Sequence, residues 1–365
     1  MKNILFILAT IITSIATCGC GNNSVAGNSQ QLGTDLCLDK SPHFRNIAIT
    51  PDGSKAFVTG DGIGGVFVIG TESNSIIAKI PLKMDTDAVA VSPDGKMAYV
   101  TSANNGVNIS VIDIPSFSVT ATFPIEKAPI QAKGLTLSKS GNDIYVSIGD
   151  YGADRILVIN SRTGVISKNI PVKDSGETFS VTPDGTKAFL GGKGITEINL
   201  IKQEIVATIP SSDFDERFAI SPDGSKLVVG RTGSPASIKI IDVKTRAILE
   251  SISLGSDVIT TQNQSGLIFP EGIVFIPKTE KIYVSNHMTR PGKISVVDLR
   301  KHEVINTINF GEFPGDLVVT PNGTRAYALS SNKDALIIGV INTQTDQVIK
   351  EILWNEAPPN PKSCH

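Results

Sequence analysis

The chain has 365 residues and a formal net charge of −2 at pH 7, with 19% charged and 40% hydrophobic residues. This composition is typical of a soluble globular protein. The near-neutral charge, without any cluster of basic residues, argues against nucleic-acid binding. Length alone would allow two or three domains. The number of domains therefore has to be inferred from the pattern of residues along the sequence.

An export signal is predicted at the N-terminus. Lys2 precedes an apolar run over residues 4–15 that is too short to span a bilayer, and small residues follow it. Residues 15–20 read Ile-Ala-Thr-Cys-Gly-Cys and resemble the cleavage site of bacterial lipoproteins. This resemblance implies a lipid-anchored protein of the bacterial cell envelope, periplasmic or on the outer surface. A plain secretory signal and an uncleaved anchor are the alternatives.

The number of cysteines bears on which one carries the lipid. The chain contains Cys18, Cys20, Cys37 and Cys364. Lipidation of Cys20 would remove Cys18 with the signal and leave an even pair, whereas lipidation of Cys18 would leave an odd thiol. We therefore predict a signal peptide over residues 1–19 and lipidation at Cys20, with Cys18 as the alternative.

Two further segments are predicted to lack regular structure. Residues 20–36 are mostly Gly, Asn, Ser and Gln, which have little to bury, and this favours a flexible tether. Residues 356–365 form a tail interrupted by proline. The folded domain is therefore expected over residues 37–355.

A turn that most often reads Pro-Asp-Gly recurs seven times in this domain. The turns begin at Pro51, Pro93, Lys139, Pro183, Pro222, Pro277 and Pro321. They lie 39 to 55 residues apart. A period of about 40–50 residues with four strand-like segments in each unit is typical of propeller blades. In these turns proline presets φ and glycine accepts a positive φ, so each turn is expected to join two antiparallel strands.

The positions around each turn predict how the strands pack. The residues four and two before the turn are apolar in all seven units, and the residue between them is small in most units. This alternation indicates a strand, and we expect it to be the innermost strand of each blade. The positions are Ile47, Ile49, Val89, Val91, Leu135, Leu137, Phe179, Val181, Phe218, Ile220, Ile273, Phe275, Leu317 and Val319. Six residues after the turn position an aromatic residue is usual, and we expect it to pack rather than to catalyse: Phe57, Tyr99, Tyr145, Phe189, Val228, Tyr283 and Tyr327.

The second strand of several units carries a recognisable motif. It stands as Tyr-Val-Thr-Ser at residues 99–102 and as Tyr-Val-Ser-Asn at residues 283–286. These units resemble the YVTN family of β-propeller repeats, which consists of envelope proteins and larger assemblies with few assigned activities. The resemblance covers all seven units and implies an all-β fold, a seven-bladed β-propeller of four-stranded antiparallel blades.

The way in which the ring closes is a separate question. Each unit already holds four strands, so no blade has to be completed by strands from both ends of the chain. Cys37 precedes the first inner strand and Cys364 follows the last outer one. In an exported protein a disulfide between them would join the first and last blades. Two free thiols are the alternative.

Charged residues recur where each chain segment enters its inner strand. The residue six before the turn is charged in six of the seven units. The residue five before the turn is charged in two units. The set is Arg45, Asp87, Lys133, Glu177, Glu216, Arg217, Glu271 and Asp316. By the usual strand order these residues ring one mouth of the central channel, where they could bind a polar ligand, a cation or a partner. The alternative is a solvated rim with local ion pairs.

One loop on the same face departs from the repeat. Residues 255–269 make the fifth-to-sixth interval the longest of the series, which is typical of a lid or binding loop, with sequence drift as the alternative. The sequence contains neither a Cys-x-x-Cys-His haem motif nor a His-Glu-x-x-His motif, so we predict no metal and no cofactor.

Two functions are compatible with these features. The first is a monomeric, non-catalytic envelope lipoprotein whose propeller face binds a protein, a surface polymer or a small ligand. The second follows from a resemblance in repeat style to the seven-bladed lactonases, which are hydrolases that act at the channel mouth. This alternative needs a cluster of His, Arg and Glu, and His287, Glu271, Arg290 and Arg217 are the candidates.

Overall fold

The computed structural model describes residues 42–354, apart from 103–105, 128–129, 150–153, 174–175, 177, 193, 211–216, 256–267, 288, 290 and 332–334. The described residues form 28 strands and seven four-stranded antiparallel sheets. The predicted all-β, seven-bladed propeller is confirmed. The signal peptide, the tether, all four cysteines and the tail lie outside the described residues, so those predictions stay open.

Each blade is built from four strands that follow one another in the chain. Blades 1 to 3 contain β1 (His43–Ile49), β2 (Lys55–Asp61), β3 (Gly65–Gly70), β4 (Ser75–Pro81); β5 (Val89–Val91), β6 (Met97–Ser102), β7 (Val107–Asp113), β8 (Ser118–Glu126); and β9 (Gln131–Leu137), β10 (Asp143–Gly149), β11 (Arg155–Asn160), β12 (Ile166–Pro171). Blades 4 and 5 contain β13 (Phe179–Val181), β14 (Lys187–Leu190), β15 (Ile195–Asn199), β16 (Glu204–Ile209); and β17 (Phe218–Ile220), β18 (Lys226–Arg231), β19 (Ala236–Asp242), β20 (Ile248–Gly255). Blades 6 and 7 contain β21 (Phe269–Phe275), β22 (Lys281–His287), β23 (Lys293–Asp298), β24 (Glu303–Asn309); and β25 (Leu317–Val319), β26 (Arg325–Ser331), β27 (Leu336–Asn342), β28 (Gln347–Trp354).

The first strand of each blade is the innermost one. Each inner strand contacts the inner strands of the two neighbouring blades, and the ring is completed by contacts between β25 and β1. Among the described residues no strand is exchanged between the first and last blades, as the four-strand units predicted. In the part of the chain described above, no helix is long and apolar enough to cross a membrane.

Seven apolar cores lie between consecutive blades and hold the ring together. In the core between blades 1 and 2, Ala48 and Phe57 of the first blade pack with Val89 and Val91 of the second. The same arrangement recurs around the ring, so the apolar positions four and two before the turn face the preceding blade. The small residue between them and the aromatic position face the following blade.

Burial confirms the packing role of the aromatic position and refines that of the inner strand. All seven residues six after the turn position are buried, as are all seven residues four before it. Two residues before the turn, however, only Leu137 is fully buried and the other six are half-buried. This position is the last residue of each inner strand, next to the turn.

The turns adopt the predicted geometry in six of the seven units. Gly53 and its counterparts have φ between 70° and 76°, and the glycine N–H donates to the carbonyl of the residue before the turn proline. The sixth unit has Thr279 at the glycine position, and there Lys278 takes the positive φ instead, at 64°. The sixth turn is thus closed by a non-glycine residue in a left-handed conformation.

The ring closure between blades 7 and 1 combines apolar packing with hydrogen bonds. Trp354, the only tryptophan of the sequence, packs on Phe67 with ring centroids 5.8 Å apart. The Tyr327 hydroxyl donates to Asn74 Oδ1 at 2.7 Å, and Arg325 donates to the carbonyl of Thr71 at 2.5 Å. Closure therefore has its own side-chain contacts, whatever the state of Cys37 and Cys364.

Candidate functional site

The inner strands begin around a cavity of about 380 Å³ at one mouth of the central channel, here called the mouth cavity. All seven blades contribute to its lining, which comprises Arg45, Asn46, Asp61, Asp85, Asp87, Ala88, Gln131, Ala132, Lys133, Leu135, Thr178, Phe179, Arg217, Phe218, Glu271, Gly272, Ile273 and Asp316. The apolar residues four before the turn, such as Leu135 and Phe179, form part of this lining, and the charged residues just before them form much of the rest.

The structure brings six of the eight predicted mouth residues to this one cavity. They are Arg45, Asp87, Lys133, Arg217, Glu271 and Asp316. The other two, Glu177 and Glu216, lie outside the described residues. Most of the long loop over 255–269 is also outside them, but its end is placed: Ile268 pairs with Gly233 of blade 5 as an antiparallel bridge. A binding role for these residues stays a prediction.

The described lining carries more negative than positive side chains. The five carboxylates are Asp61, Asp85, Asp87, Glu271 and Asp316, and the three permanent cations are Arg45, Lys133 and Arg217. Because the cavity is surrounded by protein on its walls, charges within it are screened less than charges on an open surface. The excess of carboxylates favours ligands that carry a positive charge.

Each of the three cations has a carboxylate neighbour. Arg217 lies 2.5 Å from Glu271 and Lys133 lies 3.4 Å from Asp154. Arg45 donates to Asp61 at 2.8 Å. Local ion pairs, which the sequence left as the alternative interpretation, are therefore present, but they occur on the wall of a concave cavity rather than on a flat rim.

Asp61 is the most strongly held carboxylate of the mouth cavity. Its side chain is only 5% exposed, and it accepts contacts from His43 Nε2 at 3.0 Å and from Arg45 at 2.8 Å. Burial opposes ionisation of Asp61, but the hydrogen bonds from His43 and Arg45 outweigh it and hold the pKa of the carboxyl well below its usual range. Asp61 is therefore a fixed negative charge at neutral pH.

Asp316 differs from Asp61 in its electrostatics. Its carboxylate accepts hydrogen bonds from Asn46 Nδ2 at 2.6 Å, from the Ile47 N–H at 3.2 Å and from the Leu317 N–H at 2.9 Å. Burial is the largest influence and raises the pKa of Asp316 to about 6 despite these donors. Asn46 also accepts from the Val89 N–H at 3.0 Å, so a polar chain joins blades 7, 1 and 2.

A second cavity of about 220 Å³ adjoins the first, between blades 5, 6, 7 and 1. Its lining comprises His43, Phe44, Arg45, Arg217, Glu271, His287, Phe313, Gly315, Asp316, Leu329, Ser330 and Ser331. Four of these residues, Arg45, Arg217, Glu271 and Asp316, also line the mouth cavity. The two cavities therefore share a wall of charged side chains.

The hydrolase candidates are partly brought together in this second cavity. His287, Glu271 and Arg217 all line it, whereas Arg290 lies outside the described residues. The His287 ring packs against Phe313 with centroids 5.4 Å apart. Among the described residues, His287 Nδ1 and Ser330 Oγ are buried and have no hydrogen-bond partner.

Several residues of both cavities were not predicted from the sequence. His43, Asp61, Asp85 and Ser330 were not singled out, although the repeat offered a signal for one of them. Asp61 stands ten residues after its turn proline, in the same repeat position as His287, at the end of the second strand. Comparison of that position across the blades would have placed Asp61 on the mouth face.

The fold and the site together define a seven-bladed β-propeller with a polar, acid-rich cavity at one channel mouth. Over the described part of the chain, no group of three or more His, Cys, Asp or Glu side chains could hold a metal ion. No protein-family model matches the chain.

Curated proteins are similar to parts of the chain. The chain is 34% identical over 109 residues to the uncharacterized protein YncE of Salmonella typhi, a match over 30% of this chain and 30% of that protein. It is 30% identical over 135 residues to the seven-bladed beta-propeller protein Rv1057 of Mycobacterium tuberculosis, a match over 36% of this chain and 33% of that protein. The chain thus matches about a third of the length of these curated relatives.

Solved structures share the architecture over most of the chain. A chain of Kuenenia stuttgartiensis hydrazine synthase matches with a TM-score of 0.70 at 18% identity. The match covers 87% of this chain and 100% of that chain. The dihydro-heme d1 dehydrogenase NirN in complex with DHE has a TM-score of 0.59 at 18% identity, over 86% of this chain and 67% of NirN. At this identity the likeness shows the propeller fold alone.

Proposed function

We propose that the protein is a binding lipoprotein of the cell envelope whose mouth cavity takes a small polar ligand with a positively charged group. The observation that carries this proposal is the convergence of all seven blades on one cavity with five carboxylates against three cations. Of the protein, surface polymer or small ligand left open by the sequence, the small ligand fits best, because the charged residues line a concave space rather than a broad flat face.

The size and lining of the cavity support this choice. A volume of about 380 Å³ falls within the range of small-molecule sites in proteins. Leu135, Phe179, Phe218 and Ile273 supply apolar surface for a hydrocarbon portion, while the acidic side chains fix the orientation of a charged group. An ammonium or guanidinium group gains charge-assisted hydrogen bonds to carboxylates, which compensate for its loss of water.

The envelope location and the lipid anchor rest on the N-terminal sequence. In this proposal Cys20 carries the lipid and the propeller extends from the membrane on the tether over 20–36. A rigid ring on a flexible tether suits a protein that captures a ligand near a membrane surface.

Thermal unfolding in the presence of candidate ligands tests the proposal. We expect cations such as putrescine, arginine or choline to raise the melting temperature, and succinate and glucose to leave it unchanged. Asp87→Asn should abolish the shift, and Glu351→Gln, which removes an exposed carboxylate from β28, should not. Equal shifts with succinate, or with the Asp87→Asn variant, would contradict the proposal.

A second candidate is a lactonase-like hydrolase, and one observation favours it. His287 and Glu271 line the same cavity beside Arg217, so an acid/base pair and a cation share one site. This function predicts that the purified protein opens members of a lactone panel and that His287→Ala abolishes the activity. A protein that is inert towards the panel would leave the binding function as the better explanation.

A further inference from the structure

The second cavity contains two buried polar atoms that the protein leaves unsatisfied. Ser330 is 3% exposed and its Oγ has no hydrogen-bond partner among the described residues. His287 is half-buried, but its Nδ1 atom is buried and has no partner among them either. Buried polar groups in native proteins are almost always hydrogen-bonded, and each exception destabilises the fold. Because both residues line the second cavity, a ligand bound there could supply the missing partner if the two side chains turn towards it.

The chemistry of this wall indicates an anionic acceptor. A serine hydroxyl and an imidazole N–H both donate. Arg45 and Arg217 pair with Asp61 and Glu271, but each guanidinium has five N–H donors and so has further donors in the same lining. Of the two carboxylates in the lining, Glu271 is engaged by Arg217 at 2.5 Å, and Asp316 accepts three hydrogen bonds from Asn46, Ile47 and Leu317. A carboxylate accepts several hydrogen bonds at once and matches the planar donor pattern of arginine.

The second cavity therefore differs from the mouth cavity in its charge. Two histidines and two arginines accompany two carboxylates in the second cavity, whereas carboxylates exceed permanent cations in the mouth cavity. Phe44, Phe313 and Leu329 add apolar surface to the second cavity. The wall shared by both cavities places the acid-rich and the donor-rich regions side by side, within reach of one small molecule.

We infer that the second cavity is a carboxylate subsite and that the ligand is a zwitterion, an amino acid or a short peptide. Its ammonium group occupies the mouth cavity and its carboxylate accepts hydrogen bonds from Ser330 and His287. This inference rests on the proposed cation-binding function and extends it by naming the class of ligand. Such a ligand would provide a hydrogen-bond partner for both unsatisfied atoms. Its two charged groups would also match the different charges of the two cavities.

Calorimetric titration of the purified full chain with matched compounds tests the inference. The probes are glycine, 4-aminobutyrate, 6-aminohexanoate and glycylglycine, each beside its own primary amide, which keeps the ammonium group but lacks the carboxylate. We expect at least one acid to bind roughly tenfold to a hundredfold more tightly than its amide, because hydrogen bonds to a charged group are the strong ones. The best chain length reports the distance between the two subsites.

The repeat supplies a matched pair of variants. Ser330 and Ser102 occupy the same repeat position in blades 7 and 2, both are buried, and neither Oγ has a partner among the described residues. Only Ser330 lines a cavity of the site. Ser330→Ala should reduce the preference for the acid to less than roughly threefold, because the acid loses more affinity than the amide, and Ser102→Ala should leave both affinities unchanged.

The outcomes separate this inference from the function on which it rests. Amides that bind as tightly as their acids would overturn the carboxylate subsite and leave the cation-binding function intact. An acid preference that survives in Ser330→Ala would also overturn the assignment of the subsite. If neither acids nor amides bind, both proposals fall together.

Discussion

Asp316 offers the sharpest test of the electrostatics of the site. It lies where both cavities meet blades 7 and 1, and burial raises the pKa of its carboxyl from 3.8 to about 6. The folded state therefore holds the proton more tightly than the unfolded state does. The contribution of Asp316 to stability is fully present below pH 3.8 and is lost as the pH rises through about 6.

The magnitude follows from the difference between the two pKa values. It corresponds to at most about 3 kcal/mol of unfolding free energy, lost between about pH 4 and pH 7. The value is an upper limit because Asp316 faces cavities that open to water. In Asp316→Asn the side chain cannot ionise, so this loss disappears. The new amide NH2 faces one of the donors of Asn46, Ile47 or Leu317, and this loss of a hydrogen bond lowers the free energy of unfolding. That cost does not vary with pH.

Urea unfolding of both proteins across this pH range gives the comparison. The stability of the wild type minus that of Asp316→Asn should fall by up to about 3 kcal/mol from about pH 4 to about pH 7. Glu303→Gln removes an exposed carboxylate from β24 and should give a difference that is flat in the same range. A flat difference for Asp316→Asn as well would refute the reasoning, because it would mean that the carboxyl titrates normally in the fold.

Three further changes test the scaffold by urea unfolding. Trp354→Ala removes the ring that packs on Phe67 at the closure and should cost about 3–5 kcal/mol, whereas a cost below about 1 kcal/mol would show that the closure does not depend on it. Tyr283→Phe removes the hydroxyl that donates to Asp346 of the next blade and should cost about 1–2 kcal/mol; no change would mean that this hydrogen bond makes no net contribution. Lys278→Gly relieves a left-handed non-glycine residue and should stabilise the protein by about 0.5–1 kcal/mol, and a loss of stability would contradict that assignment.

The blade architecture could be predicted from the sequence because the same positions are buried in every blade and therefore carry similar residues. Positions such as Ile47 and Phe57 must fill the space on either side of a sheet, and the demand repeats seven times. A feature that occurs once leaves no such record. Trp354 contributes to the closing core between blades 7 and 1, yet its position in the sequence did not reveal that role.

Only those site residues that stand at a recurring position of the repeat could be predicted from the sequence. The position six before the turn led to Arg45 and Glu271, which do line the mouth cavity. The partners that set the electrostatics lie elsewhere in the unit: Asp61 comes from the end of a second strand and Asn46 from inside an inner strand. Their proximity depends on how neighbouring blades are juxtaposed, which the sequence of a single unit does not specify.

The position of the second cavity follows from the geometry of the ring. In this region the repeat position five before the turn, which is uncharged in the other five blades, carries Arg217 and Asp316. Asp316 accepts hydrogen bonds from Asn46 and Ile47 across the closure. The groups that shape the candidate site therefore also join the last blade to the first. A ligand that engages Asp316 or its neighbours would add contacts between blades that no covalent chain links directly, so binding and closure should favour each other by linkage.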